Sequence, residues 1–453
     1  MIARSLSAIA REVGGRLVGP DAEITHVVSD SRLAGPGALF VALAGERTEG
    51  ARFVGDALAR GATGVLVPEG VAVPGSGIVV ASTGEALLKL AAAERTYSSA
   101  TVVGITGANG KTSTKDMAAI VLSRKFRTHA SPGSFNNEIG LPMTILGADP
   151  LTEVIVAELG ARRKGDVTLL SEVAKPVIAV VTNVGVAHIE VFGSWEAIVE
   201  ASAEPVEAVQ PEGWVVLNAD DPVVAGYRSR TAAQVVTFGV HAEADVRAER
   251  VVVGPEGTAS FTLVIGEERV RVDLQVAGEH MVPNALAAAA VGRILGVPIE
   301  ASAEALGAAA VSRWRMETFA TPEGVRVIND AYNANPESMA AALKTARKMA
   351  ADDRLIAVLG HMAEIGPIAG EAHERVGDLA ARLPVDRLVT VGPDARPIAM
   401  SALREGVEPE NVASYDDPGE ALADVRMHAR AGDVVLFKGS RVAGLEAVAE
   451  ALR

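Results

Sequence analysis

The sequence predicts an α/β protein of three domains. A small N-terminal α/β domain is expected over 1–83, a central parallel-sheet domain with an antiparallel ribbon over 84–311, and a C-terminal doubly wound domain over 312–453. Three observations predict this. The chain has 453 residues, about three times a usual domain length of roughly 150. It is rich in Ala and Gly and only 4% aromatic, which suits helices layered on sheets better than a β-sandwich. From residue 101 onward, short β-branched runs alternate with helical stretches, the pattern of βαβ units.

The elements follow in order. MIARSLSAIAREVGG opens with Ile2, Leu6, Ile9 and Val13 on one helical stripe beside Arg4 and Arg11, an amphipathic helix and not a secretory leader. GPG at 35–37 is turn chemistry, and LFVAL after it reads as a strand. VPEGVAVPGSG is loop-rich and lies shortly before the first boundary; GEALLKLAAAER is a helix leading into the centre. TVVGIT, VIVAEL and VIAVVTNV read as buried strands, with KTSTKDMAAIVLSRK and DVTLLSEVA as the helices between them. Residues 245–276 alternate apolar and polar around Gly turns, an antiparallel ribbon. PNALAAAAVGRIL is a helix opened by Pro283. Past the second boundary, at Val311 to Arg315, RLIAVLG, RLVTVG and DVVLFKG are three apolar runs each ending at Gly, with SMAAALKTARKMA and HERVGDLAARL as helices. That is a second doubly wound, Rossmann-like unit. No repeat of solenoid length occurs.

Composition narrows the function. The net charge of −15 argues against nucleic acid as main partner, because neutralising phosphates needs basic patches. Zero cysteines exclude disulfides and thiolate zinc sites and fit a reducing, cytoplasmic compartment. No apolar run nears the ~18 residues of a membrane span. No coiled-coil pattern asks for a partner, so a monomer is expected.

The chemistry concentrates in GITGANGKTSTKDM, residues 104–117. A strand feeds a Gly-rich loop and then a helix, so backbone N–H groups and the helix N-terminus converge on an anion. Lys111 can reach β- and γ-phosphates, and Thr112 can offer its hydroxyl to Mg²⁺. The strict G-x-x-x-x-G-K-[ST] pattern is broken by Ile105. The bland alternative is an ordinary turn with an exposed lysine. Glu158 ends VIVAEL, where a carboxylate beside a phosphate loop can hold Mg²⁺; alone, it reads equally as a capping or solvated glutamate. His188 in TNVGVAHIE also follows a strand, and a lone histidine is more often structural. In NDAYNANPESM, Asp330, Asn333 and Asn335 crowd a turn before a helix that Pro336 or Ser338 could start; Asx-rich turns also occur as pure geometry.

Together, TGANGKTSTK (106–115), SFNNEIGLP (134–142), ELGARRKGD (158–166), TNVGVAHIE (182–190), LNADDP (217–222), GEHMVPNALAAAA (278–290), DAYNANP (330–336) and FKGSR (437–441) resemble the ATP-dependent Mur ligases of peptidoglycan synthesis over nearly the whole chain. The family's phosphate loop shares the departure at Ile105. YNANP is the most specific element and points to the branch that adds D-alanyl-D-alanine to UDP-N-acetylmuramoyl-tripeptide. The resemblance implies a central P-loop ATPase-like domain using ATP and Mg²⁺. Gly107, Ala108, Asn109 and Gly110 would cradle the phosphates, with Lys111 on the β/γ-phosphates and Thr112 and Ser113 as phosphate and metal hydroxyls. Glu158 and His188 would surround a second Mg²⁺ beside the reacting carboxylate. Asn284 and Asp330 would contact base and ribose, and Arg315 would cross from the third domain to the phosphates. Ser31 and Arg32 would lie on the uridine-nucleotide side. Asn136 and Asn137 fall in the substrate-side SFNNEIGLP motif. Asn333, Asn335, Lys438 and Arg441 would shape the dipeptide side.

The implied reaction is ATP-dependent amide ligation through an acyl phosphate, with the third domain closing over the site. It would serve cell-wall synthesis, and through it cell shape and division. Three departures stand out. Ser202 occupies the place where the family carries a carbamylated lysine, so Glu200 or Glu204 would have to supply that charge, or fewer ligands hold the second metal. Gly360-His361-Met362 replaces a usual GDM. Glu49-Gly50-Ala51 replaces DGH. The alternatives are a sister Mur or folylpolyglutamate-type ligase, which YNANP speaks against, and a nucleotide-binding relative with weakened catalysis. Whether the third peptide residue is diaminopimelate or lysine is not encoded in these motifs.

Overall fold

The computed structural model describes residues 1–45, 49–310 and 312–453. Val311, the end of the expected central domain, lies outside them. The first helix spans Leu6–Val13: the Ser5 side chain caps its N-terminus, and Gly14 ends it in the left-handed conformation that glycine adopts without penalty. Ile2 is not part of it; Arg4–Ser5 instead pairs antiparallel with Glu23–Ile24. Five further strands form the N-terminal sheet in the order Arg16–Val18, Gly77–Val80, Gly64–Pro68, Ala38–Val41, His26–Val28. The long helix Thr83–Tyr97 packs both on Leu6–Val13 and on the central helices Gly140–Gly147 and Asp166–Ala174. One apolar cluster therefore runs from the N-terminal domain into the central one.

The central sheet has nine strands. Its parallel part runs Gln234–Gly239, Trp214–Asn218, Ile178–Val181, Thr101–Thr106, Val154–Glu158, Thr128–Ala130, and the ribbon Val246–Val253, Thr258–Ile265, Glu268–Ala277 extends the other edge. Thr101–Thr106 sits between Ile178–Val181 and Val154–Glu158, so neighbouring strands leave it in opposite directions along the sequence. Such a switch point opens a crevice at the strands' C-terminal ends. The Ala-rich helix starts at Met281, two residues before Pro283, because the first turn needs no N–H from proline. It packs on the phosphate-loop helix Lys111–Leu122. Small side chains let the two approach, and residues Ala285 to Ala290 are all fully buried.

The C-terminal sheet has the order Glu317–Ala320, Arg326–Asn329, Val434–Lys438, Leu355–Gly360, Arg387–Val391, Val412–Tyr415, parallel except for its first strand. Its first helix, Pro336–Ala350, settles the start that the sequence left open. Pro336 is the first helical residue, Asn335 is the cap, and Ser338 closes a reciprocal capping box with Asn335. Among the described residues, no helix is long and apolar enough to cross a membrane.

Candidate active site

The loop 107–110 leaves Thr101–Thr106 and feeds Lys111–Leu122. Ile105 belongs to the strand, is fully buried and pairs with Glu158. The broken consensus position is thus strand interior, where glycine has no advantage. Gly107 and Gly110 do need to be glycine. Their φ values are 136° and 80°, and a Cβ would stand 2.1 Å from Thr182 Oγ1 and 2.3 Å from Asn284 Oδ1. Asn183 holds the loop by accepting from the Ala108 N–H at its carbonyl (3.0 Å) and from the Asn109 N–H at Oδ1 (2.8 Å).

Among the described residues, Lys111 Nζ donates only to carbonyls of its own loop, Gly107 O at 2.6 Å and Ala108 O at 3.3 Å. Burial pushes its ammonium below the ordinary lysine value; the Glu158 carboxylate opposes that shift and Arg315 adds to it. A half-buried cation whose partners among the described residues are neutral carbonyls is ready for an anion. Glu158, 1% exposed, accepts from the Thr112 hydroxyl at 2.8 Å and from Asn136 Nδ2 at 2.8 Å. Hydroxyl and carboxylate together form the oxygen pair that a hard cation takes beside a nucleotide phosphate. The donors present therefore fit Mg²⁺–ATP.

The third domain reaches the same place. Arg315 Nη2 donates to Ser134 Oγ at 2.9 Å, and its guanidinium lies 4.1 Å from the Tyr332 ring centroid. Its buried Nε has no acceptor among the described residues, an unspent donor suited to an anionic oxygen. Asn335 Nδ2 donates to Asn109 Oδ1 of the phosphate loop at 2.8 Å. Asp330 accepts from the Met316 N–H at 3.0 Å and from buried Lys438 at 2.6 Å. His188, in the left-handed region at φ 61°, contacts Glu364 of the third domain through Nδ1. Burial lowers the His188 pKa; the bond to Glu364 works against this, while nearby Lys111 adds to it.

These groups line one cavity of about 940 Å³, at the upper end of the ~300–1,000 Å³ usual for ligand sites. Ala108, Asn109, Gly110, Lys111, Thr112, Ser113, Asn136, Asn137, Glu158, His188, Asn284, Arg315, Asp330, Asn333, Asn335 and Lys438 line it. Gly107 shapes the loop from behind. Ser31 is buried in the N-terminal domain, and Arg32 is paired with Asp30. Arg441 lies 4.1 Å over the Trp314 ring and pairs with Glu446. These last three do not line the cavity.

The substitute charges expected beside Ser202 are spent elsewhere. Glu204 caps the helix Asp166–Ala174 through the N–H groups of Gly165 and Thr168 (2.6 and 2.8 Å), and Glu200 pairs with Arg230 at 2.9 Å. Neither they nor Ser202 line the cavity. Among the described residues, no group of three or more His, Asp or Glu could by itself hold a metal.

Three family models match: the Mur ligase family catalytic domain at residues 23–97, the Mur ligase middle domain at 105–292, and the Mur ligase glutamate ligase domain at 314–441. UDP-N-acetylmuramoyl-tripeptide–D-alanyl-D-alanine ligase of Mycobacterium bovis is 42% identical, the match covering 100% of this chain and 98% of that one. The Bacillus subtilis ligase of the same name is 36% identical over 100% and 99%. The chain belongs to the Mur ligase family. Among solved structures, MurF of Acinetobacter baumannii superimposes with a TM-score of 0.88 at 30% identity, covering 99% of this chain and 98% of that one. MurF of Thermotoga maritima in complex with ADP gives 0.81 at 29%, covering 94% and 96%. Like other Mur ligases, the chain has the three-domain architecture with a central ATP-binding domain and a Rossmann-like third domain.

Several residues in or behind the cavity of this Mur ligase escape a motif reading. Ser134 bridges Thr112 and Arg315 through hydroxyl contacts of 2.9 Å each. It lies within a quoted motif, but serine alone carries no signal. Lys115, 2% exposed, donates to Ser131 O (2.7 Å) and Gly133 O (2.9 Å) and so shapes the segment that carries Ser134 and Asn136. Glu364 could be found only from the fold, since 176 positions separate it from its partner His188.

Proposed function

We propose that this Mur ligase joins D-alanyl-D-alanine to UDP-N-acetylmuramoyl-tripeptide, consuming ATP and forming ADP and phosphate, in peptidoglycan precursor synthesis. The observation that carries the reading is the convergence of Lys111, Glu158 and the third domain's Arg315 on one cavity. Residues 1–83 would hold the UDP end, 84–311 ATP, and 312–453 the dipeptide. A carboxylate at neutral pH is a poor electrophile, so a terminal carboxylate oxygen of the tripeptide first attacks the γ-phosphorus, the bond to the β-phosphate oxygen breaks, and ADP leaves. Lys111 and Arg315 offset the charge that grows on the phosphoryl oxygens. Mg²⁺, when bound at Thr112, Ser113 and Glu158, supplies further charge neutralisation there. The dipeptide amine then attacks the acyl carbon, the amide forms, and phosphate leaves. Asn335 and Arg315 keep the third domain over the phosphate loop, which keeps water from the acyl phosphate.

Phosphate release from purified protein supplied with ATP, Mg²⁺, UDP-tripeptide and D-Ala-D-Ala tests this. Release that requires all three substrates is expected. Release with glutamate, alanine or a diamino acid in place of the dipeptide would move the chain to a sister ligase. Nucleotide binding without turnover would mark a non-catalytic relative, the reading that Ser202 favours.

A further inference from the structure

We propose that Glu364 of the third domain is a positioning residue for the ligation. It fixes the imidazole of His188 across the domain interface, so that the reacting corner is assembled only when the third domain is docked. The inference rests on the function proposed above and extends it to a residue outside every quoted motif.

Three independent observations support it. First, Glu364 meets two cavity-lining side chains of the central domain at once: Oε2 contacts His188 Nδ1, and Oε1 lies 3.4 Å from the Arg162 guanidinium. Secondly, the backbones are committed to this contact. His188 and Glu364 both adopt left-handed conformations, at φ 61° and 60°. Such non-glycine geometry is energetically unfavourable and persists where surroundings impose it. Thirdly, the loops touch beyond the side chains. The Glu190 N–H donates to Glu364 O at 3.3 Å, and a Cβ at Gly366 would stand 2.9 Å from Glu190 Cβ. The loop after strand Leu355–Gly360 is therefore shaped to lie on the His188 loop.

The chemistry follows from hydrogen-bond polarity. A carboxylate only accepts, so His188 Nδ1 carries a hydrogen and Nε2 is the nitrogen left for the cavity. An outer carboxylate that sets a histidine's tautomer and ring angle is a recurring device of reacting centres. Here it comes from another domain. Arg162, drawn to the same carboxylate, is placed to meet an anionic group of the substrate.

The test uses the full-length enzyme with ¹⁵N-labelled histidine, His188 being assigned from its loss in His188→Ala. In wild type, Nδ1 is expected to bear the hydrogen and Nε2 to be the bare nitrogen; in Glu364→Ala the signals shift toward the opposite tautomer. Glu364→Ala is expected to lower kcat about 10- to 100-fold, as removal of such an outer partner does, with KM for ATP within about twofold. Glu364→Gln, which keeps an acceptor, restores most of the rate. In a His188→Ala background Glu364→Ala adds no further loss, because coupled residues are not additive. Glu364→Met repeats the test if the alanine variant does not fold. Identical His188 signals with and without the carboxylate, or losses that add in the double variant, overturn the inference. The spectrum needs no turnover, so this outcome is separable from failure of the ligase reading.

Discussion

Lys111 shows how one residue can be stable enough to fold and still unsatisfied. It sits at the end of a half-buried loop with neutral carbonyl partners among the described residues, and its ammonium is held below the ordinary lysine value. Lys111→Ala is expected to cost on the order of 10²–10³ in kcat, the worth of one donor aimed at developing charge. The pH sign follows. The charged form is the active one, so kcat/KM falls as pH rises through the lowered pKa. The alkaline limb for the free enzyme should therefore lie below 10.5, read from initial rates across alkaline buffers. Gly-Lys-Thr after a buried strand was enough to find this residue. It was not enough to find Ser134, whose part is visible only as a hydroxyl between Thr112 and Arg315.

At the scale of elements, strands such as Thr101–Thr106, Val154–Glu158 and Ile178–Val181 were legible as short apolar, β-branched runs, and the helix from Pro336 because Asn, Pro and Ser fall at the capping positions, whereas Trp214–Asn218, Gln234–Gly239 and Arg326–Asn329 were not read. Helix packing was less legible. The third domain depends on a buried ion pair that no local pattern announces. Arg387, on strand Arg387–Val391, donates to Asp424, on helix Pro418–His428, at 2.7 and 2.5 Å, and the Tyr415 hydroxyl adds a third bond at 2.8 Å. Burial alone would raise the Asp424 pKa; the bonds from Arg387 and Tyr415 outweigh it and hold the carboxyl below its usual value. Asp424→Asn leaves Arg387 facing a neutral group and should cost about 3–5 kcal/mol, measured by urea unfolding. For the wild type, a depressed folded pKa stabilises above the unfolded value of 3.8, and that stabilisation is lost as pH falls below it.

Over the whole molecule, the bonds that carry the third domain onto the central one include Asn335 to Asn109, Arg315 to Ser134, Ser312 to Asp116, and Glu364 to His188. Motifs pointed to Asn335 on the dipeptide side, yet its side chain serves the phosphate loop as well as its own helix. Asn335→Ser keeps a helix cap but is too short to reach Asn109. It should leave the melting temperature unchanged and weaken ATP-analogue binding about fivefold, the worth of roughly one hydrogen bond near 1 kcal/mol, measured by calorimetry. The three-domain architecture and the loop around Lys111 could be read from motifs because each motif is local. The fate of the charges near Ser202 could not, because Glu200 and Glu204 are consumed by partners 30 and 36–39 residues away.

In the proposed ligation the tripeptide carboxylate is activated by taking the γ-phosphoryl group in the cavity that Lys111, Glu158 and Arg315 share. Running the complete reaction with UDP-tripeptide carrying ¹⁸O in its terminal carboxylate tests that most directly. Mass spectrometry of the released phosphate should find one ¹⁸O per turnover. Amide product accompanied by phosphate free of ¹⁸O would contradict the account.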